Sequence, residues 1–366
     1  MIPLSIPDLR GPVIRDLSKS IKDNWVSSAG PDVIKFEKAI SKFCNRKYAI
    51  STSSGSAALV LALYSIGIKR GDKVIVPDYT FAATANAVVL LGAEPIFVDV
   101  SNKTWTIDPN LVEIAIKKYK PKAVIGVNTL GLPFDVKELN FLCNKNKVIL
   151  LEDAAGSLGA KYERTKSGSF SDIGTLSFNG NKILTTGSGG MVLTDNKIFA
   201  RKAKDYISQF REKNLYNYRG IGFNFRMANI NAVIGLTQIK YLNKMLEKKK
   251  QIARKYDSLF NFHSEIKIMP KRAASYSSYW LYSIRLSNRM KAYNFIKYLN
   301  KNGIESRLFW RSLSIQNAYS NYPKLLNGVS KKLSDTVVSL PSSSCLTLKQ
   351  LNLVINAIKK WNSYKV

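Results

Sequence analysis

Three short stretches hold residues whose types and spacing suit chemistry. Ser53-Ser54-Gly55-Ser56-Ala57-Ala58-Leu59 follows a strand-like run and opens a helical one. Small residues let the main chain come close, and a helix start presents free amides to a phosphate. The stretch matches neither a Walker loop nor a dinucleotide fingerprint, and a small-residue helix start can equally serve packing. Val148-Ile149-Leu150-Leu151 runs into the acidic pair Glu152-Asp153. That pair falls at a strand's carboxyl end, where open α/β sheets bind ligands; a carboxylate there can also cap a helix. Ser177 to Gly190 sets one lysine, Lys182, among small residues, 29 positions after Asp153. Lysine becomes a nucleophile and forms Schiff bases when its surroundings lower its pKa. In a chain this basic, a lysine can also be a plain surface residue.

Together the three stretches say more than any one. A phosphate cradle, a strand-end aspartate and a loop lysine are the parts that pyridoxal phosphate requires. The cradle anchors the phosphate. The aspartate keeps the pyridine nitrogen protonated, so that the ring accepts electrons. The lysine holds the aldehyde and later moves a proton.

The elements that must position these residues follow from the hydrophobic pattern. From residue 47, short Val- and Ile-rich runs alternate with helical stretches: strands at 47–50, 74–76, 95–100, 123–127 and 148–151, helices at 56–66, 81–91, 109–119 and 135–144. This predicts an α/β domain with a mostly parallel sheet covered on both faces. Short strands are expected at 174–178 and 191–194. A single long helical pattern runs from Ala228 to Phe260. Beyond it come a strand at 280–286, a helix at 291–302, a strand at 304–310, and a last helix opening on the capping-box pair Thr347 and Gln350. The division expected is a large domain over 1–244 and a smaller α/β domain over 245–366.

Composition narrows the chemistry. The chain has 366 residues and 45% hydrophobic content, ordinary for a globular protein of about two domains. Its only histidine is His263, so Ser-His-Asp hydrolysis or His-based zinc catalysis would have to run through that one residue. The three cysteines, Cys44, Cys143 and Cys345, form no CxxC pair, which supports neither a disulfide framework nor a metal site and fits a reducing cytoplasm. No apolar signal-like core follows Met1, and no transmembrane run is expected. Lys+Arg number 56 against 25 Asp+Glu, a net charge of +31. The lysines are scattered, with the run Lys248 to Lys250 expected on the solvated side of a helix. This reads as compositional bias more than as a nucleic-acid surface, although a basic nucleic-acid-binding protein on an inactive scaffold is the alternative from a different class.

These motifs, in this order, resemble the DegT/DnrJ/EryC1/StrS family of sugar aminotransferases. Further matches are Gly71 to Pro77, Thr80 to Val88, Gly92-Ala93-Glu94-Pro95 through Val98-Asp99, and Gly222-Phe223-Asn224-Phe225-Arg226-Met227. Within the family the chain is most similar to perosamine-synthase-like members, which aminate C4 of a nucleotide-linked 4-keto-6-deoxyhexose. The resemblance implies the aspartate aminotransferase-like fold, fold type I, with pyridoxal 5'-phosphate as cofactor and glutamate as amino donor. It implies that Lys182 is the Schiff-base lysine and Asp153 the partner of the pyridine nitrogen. Gly55, Ser56, Ala57 and the Ser177 hydroxyl match phosphate contacts, and Phe81 the aromatic residue stacked on the ring. Asn224 matches a residue supplied by the partner subunit, implying a homodimer with shared sites. Arg226 and Ser314 are candidate substrate residues. Dehydratase-type relatives carry histidine in place of the lysine, so Lys182 points to transamination.

Three positions depart from the family pattern. Gly156 stands where relatives carry Gln, Glu or His near the cofactor's ring hydroxyl. Asn128 precedes the Thr129-Leu130-Gly131 turn where many relatives have histidine, and Ser314 takes the place of a histidine in a His-x-Gln-Pro segment. The last two fall in expected sugar-binding regions.

Overall fold

Five-residue runs of Val, Ile, Leu and Ala, buried at nearly every position, build the centre of the molecule. The computed structural model describes residues 1–212, 216–261 and 265–363; His263 lies outside them. The first strands are β1 (Tyr48–Thr52), β2 (Lys73–Pro77), β3 (Glu94–Val98), β4 (Ala123–Val127) and β5 (Ile149–Asp153). They are followed by the short β6 (Lys161–Tyr162) and β7 (Thr165–Lys166), then β8 (Ile173–Ser177) and β9 (Gly190–Thr194). Later come β10 (Ile266–Ile268), β11 (Ser275–Tyr276), β12 (Tyr282–Leu286), β13 (Arg307–Leu308), β14 (Lys324–Leu325) and β15 (Val337–Leu340).

Eight strands form the large sheet in the order β1-β9-β8-β5-β4-β2-β3-β14. Neighbours from β8 through β14 pair in parallel, and β9 alone runs antiparallel, between β1 and β8. The expected mostly parallel, helix-covered α/β sheet is therefore present. Residues 266–340 supply a second sheet, β10-β12-β15-β13, entirely antiparallel.

The helix Gly55–Ser65 has no polar face: Ala57 through Leu63 are all buried. Such a helix must be enclosed. It packs between β8 and β9 and the helices Ala82–Leu90 and Lys197–Ile207. This enclosure makes its first turn a fixed feature at the sheet's carboxyl edge. The last helix, Leu348–Ser363, opens on the expected capping box, with Gln350 N–H donating to Thr347 Oγ1 (3.2 Å) and Thr347 N–H to Gln350 Oε1 (3.0 Å).

The structure corrects three local expectations. The helical pattern 228–260 is two helices, Asn229–Ile239 and Leu242–Phe260. The break falls where buried Gln238 bonds both main-chain groups of Arg10 (2.8 and 2.9 Å) and Tyr241 packs against Gly11. Lys249 does not face solvent but is 3% exposed. Its Nζ donates to the carbonyls of Ser342 (2.7 Å), Trp280 (3.1 Å) and Tyr279 (3.5 Å), which replace its hydration. The strand expected over 304–310 shrinks to β13: before it Ile304 bridges Ile2 and the Ser306 N–H is taken by Asn300 Oδ1 (2.9 Å), and after it Trp310 turns the chain through the left-handed region (φ 50°).

Candidate active site

A cavity of about 530 Å³ opens at the carboxyl ends of the parallel strands. Gly55, Ser56, Phe81, Asp153, Ser177 and Lys182 all line it. The structure thus gathers most of the residues singled out in the sequence, from four separate strand ends.

The cradle comes first. Ser54 caps the helix Gly55–Ser65, its Oγ accepting the Ala57 N–H (3.1 Å), and its carbonyl accepts the Ala58 N–H (3.0 Å). The N–H groups of Gly55 and Ser56 are left at the helix start, facing a site where an anion is favoured. Ala57 stands behind them with its N–H occupied by the cap. A Cβ at Gly55 would lie 2.7 Å from Ser177 Cβ, so only glycine lets the Ser177 hydroxyl approach the helix start. Gly55, Ser56 and Ser177 thereby line one side of the cavity together.

Asp153 ends β5, 5% exposed. Its Oδ2 accepts the Thr84 hydroxyl (2.8 Å) and its Oδ1 the Ala155 N–H (3.1 Å). Burial raises its carboxyl above the usual range, with the Thr84 and Ala155 bonds and the Lys182 charge opposing. A buried carboxylate in this state gains from a cationic N–H brought into the cavity. Glu152 points to the other face of β5. It accepts from Asn128 Nδ2 (2.7 Å) and from the N–H groups of Gly168 and Phe170 (2.8 Å each). The acidic pair therefore divides into one carboxylate for the site and one that ties down the following loop.

Lys182 lies in the β8–β9 connection, with its N–H on the Asn179 carbonyl (2.9 Å). Burial pushes its ammonium down to about 8, with Asp153 pulling the other way. A neutral amine is thus accessible near physiological pH, as a nucleophile or base requires.

Phe81 is 61% exposed and turns an open phenyl ring toward the cavity. An anion cradle, an open aromatic face, a buried carboxylate and a lysine with a lowered pKa fit pyridoxal phosphate, which carries a phosphate, an aromatic ring, a ring N–H and an aldehyde.

The sequence profile of the DegT/DnrJ/EryC1/StrS aminotransferases matches residues 7–359. The chain belongs to the DegT/DnrJ/EryC1/StrS aminotransferase family. Among its family relatives, the putative pyridoxal phosphate-dependent aminotransferase EpsN of Bacillus subtilis is 34% identical, over 99% of this chain and 98% of the relative. GDP-perosamine synthase of Escherichia coli O157:H7 is 32% identical over 100% and 99%. The pyridoxal phosphate form of the putative sugar aminotransferase Spr1654 from Streptococcus pneumoniae superposes with a TM-score of 0.92 at 25% identity, covering 100% and 99%. The protein is accordingly a pyridoxal phosphate-dependent sugar aminotransferase of fold type I.

Of the other sequence candidates of this DegT-family chain, Asn128 and Gly156 line the cavity, whereas Asn224, Arg226 and Ser314 do not. Asn224 and Arg226 are exposed, with Arg226 Nε donating to Asn224 Oδ1 (3.1 Å). Ser314 is buried and its N–H donates to Asp78 Oδ1 (2.7 Å). Asn128 is 2% exposed, and its amide is spent on Glu152, Ser157 (2.9 Å) and the Phe134 N–H (3.2 Å). At Gly156, the space a side chain would occupy is filled by Trp280, whose Cε3 would lie 2.5 Å from a Cβ there.

Three contributors escaped the sequence reading. Thr84 orients Asp153; its one signal is the i, i+4 spacing with Thr80 in an Ala-rich helix start. Trp280 and the Phe309-Trp310 pair wall the cavity. They come from beyond residue 279, and no local pattern marks them.

Proposed function

We propose that the enzyme converts a nucleotide-linked 4-keto-6-deoxyhexose to the 4-amino sugar, with glutamate as amino donor. The observation that carries the reading is the meeting of Lys182, Asp153 and the Gly55–Ser56 helix start in one cavity. The sugar class is supported by the perosamine-synthase-like motifs and by the end-to-end match to GDP-perosamine synthase. Such a product would serve polysaccharide or glycoconjugate synthesis in the cytoplasm. No described helix is long and apolar enough to cross a membrane.

Pyridoxal phosphate, when bound, supplies the aldehyde that carries the amino group and the ring that takes up the released electron pair. The chain's own residues do the rest. The Gly55 and Ser56 amides and the Ser177 hydroxyl would hold the phosphate. Phe81 would lie against the ring, and the Asp153 carboxylate would accept the ring N–H and keep it protonated. Lys182 Nζ would take a proton from the donor carbon and return one to the cofactor side, reversing the order for the sugar. Trp280, Phe309 and Trp310, which wall the cavity, would shield this exchange from water. Arg307 also lines the cavity, suited to an anionic group of the sugar nucleotide.

The proposed assembly is a homodimer with shared sites. The segment Gly222 to Met227 lies beside the cradle, its Phe225 carbonyl accepting the Ser53 N–H (2.7 Å). Asn224 is exposed there, and Phe223 and Ile221 are exposed apolar side chains that a second chain would cover. In this arrangement each Asn224 completes the phosphate site of the other subunit.

The test is incubation with glutamate and a panel of nucleotide-linked keto sugars, reading products by mass and by the position of the new amine. Amination of a 4-keto-6-deoxyhexose is expected. Conversion of 3-keto sugars alone would overturn the positional assignment, and no conversion of any keto sugar would overturn the substrate class.

A further inference from the structure

Trp280 is held on every side and presents one ring face to Lys182. Its Nε1 donates to the Asn181 carbonyl (2.8 Å). Its main-chain carbonyl accepts from buried Lys249 (3.1 Å). The indole covers Gly156 so closely that a Cβ there would stand 2.5 Å from Cε3. Phe309 meets it edge-on at 5.6 Å, and Trp310 packs at 6.3 Å. The side chain is 5% exposed. Against this fixed ring, Lys182 Nζ lies 3.6 Å from the centroid. A cation over an indole is attracted to the negative face of the ring, and the attraction strengthens where water is excluded. Tryptophan is the best of the aromatic side chains for this.

A transamination lysine is engaged in a covalent bond for part of the cycle and free for the rest. While free, it must stay beside the reacting carbon. Among the described residues no carboxylate is ion-paired with Lys182; Asp153 is the charged group whose field bears on it. The indole face is the surface the free amine touches.

We propose that Trp280 is a positioning residue for Lys182: its indole face seats the free, protonated amine and keeps it in reach for proton movement. Gly156 is the other half of the device, because any side chain at that position would displace the ring. The bare backbone at Gly156 and the position of Trp280 are then one feature. The proposal rests on Lys182 being the reacting amine.

The test uses cofactor-free protein. Lys182 is labelled with an amine-reactive reagent across a pH series, and its labelling midpoint is read from the peptide that contains it. Trp280→Phe and Trp280→Leu leave apolar side chains of similar size that differ in having a ring face. The midpoint is expected to fall in the order wild type, Phe, Leu, with Leu roughly one pH unit below wild type, a tenfold shift in proton affinity. Equal midpoints for Phe and Leu, or a higher one for Leu, would overturn the proposal. Gly156→Ala pushes the ring without deleting it and serves if the Leu variant does not fold; a lowered midpoint supports the seat, and an unchanged one overturns it. Turnover of Lys182→Ala is measured alongside. Retained turnover there refutes the role of Lys182 itself, whereas lost turnover with unmoved midpoints refutes the seat alone.

Discussion

The Thr84 hydroxyl donates to Asp153 Oδ2 at 2.8 Å, a buried bond at the wall of the cavity. Thr84 is itself within 3.1 Å of the Thr80 hydroxyl, so its orientation is set by a second group. This pair aims the carboxylate at the cavity and favours its charged form. Thr84→Val keeps the shape and removes the donor. A hydrogen bond to a charged group is worth about 1.5–3 kcal/mol, so kcat should fall roughly ten- to hundredfold. Thr84→Ser should stay within a few-fold of wild type. Steady-state kinetics of the two variants check this, and equal losses would contradict it.

Asp153→Asn should leave the fold intact and impair catalysis strongly. An asparagine oxygen can still accept from Thr84, but it cannot balance a ring N–H⁺. Each pKa unit of lost preference is about 1.4 kcal/mol, and a close opposite charge typically shifts a pKa by ~1–3 units. Turnover should therefore drop on the order of ten- to thousandfold, with a changed visible spectrum of the bound cofactor. Unaltered spectra and rates would contradict the role.

What could be read from the residues alone was local. The cradle, Asp153 and Lys182 each sit within one strand-and-turn stretch, so their spacing carries their geometry. Trp280 and Trp310 reach the cavity through left-handed backbone at Tyr279 (φ 50°) and at Trp310 itself (φ 50°). Apolar periodicity carries no signal of such turns. The break between the helices Asn229–Ile239 and Leu242–Phe260 leaves no mark in the pattern, because both pieces keep helical spacing across it. Residue type alone puts Lys249 on the surface, whereas three carbonyls from distant segments converge on it.

Lys249 makes stability depend on pH. Burial pushes its ammonium down from 10.5 to about 8, with the nearby Cys345 and Asp8 opposing. Between those values the unfolded chain binds the proton more often than the folded one, so this group's contribution to stability rises with pH across that window. Below it the full burden remains, on the order of 3 kcal/mol. Lys249→Met should remove the rise. The unfolding free energy of wild type relative to Lys249→Met, from urea titrations, should rise by that order of magnitude between pH 7 and 10; a difference that does not change with pH would refute the assignment.

Shared sites predict complementation. Lys182→Ala and Asn224→Ala should each be nearly inactive. Unfolded and refolded together, they should regain about a quarter of wild-type activity, since half of randomly paired dimers hold one intact site. No recovery, or a monomer in sedimentation at micromolar concentration, would count against the shared site.

The claim on which all else depends is that the cofactor is held by Lys182. The direct measurement is hydride trapping of the loaded enzyme with borohydride, followed by proteolysis and mass spectrometry of the peptides. The account predicts a single labelled peptide, the one containing Lys182, with the phosphopyridoxyl mass on that residue and no such label in Lys182→Ala. Label on another lysine, or none on a protein that remains active, would contradict it.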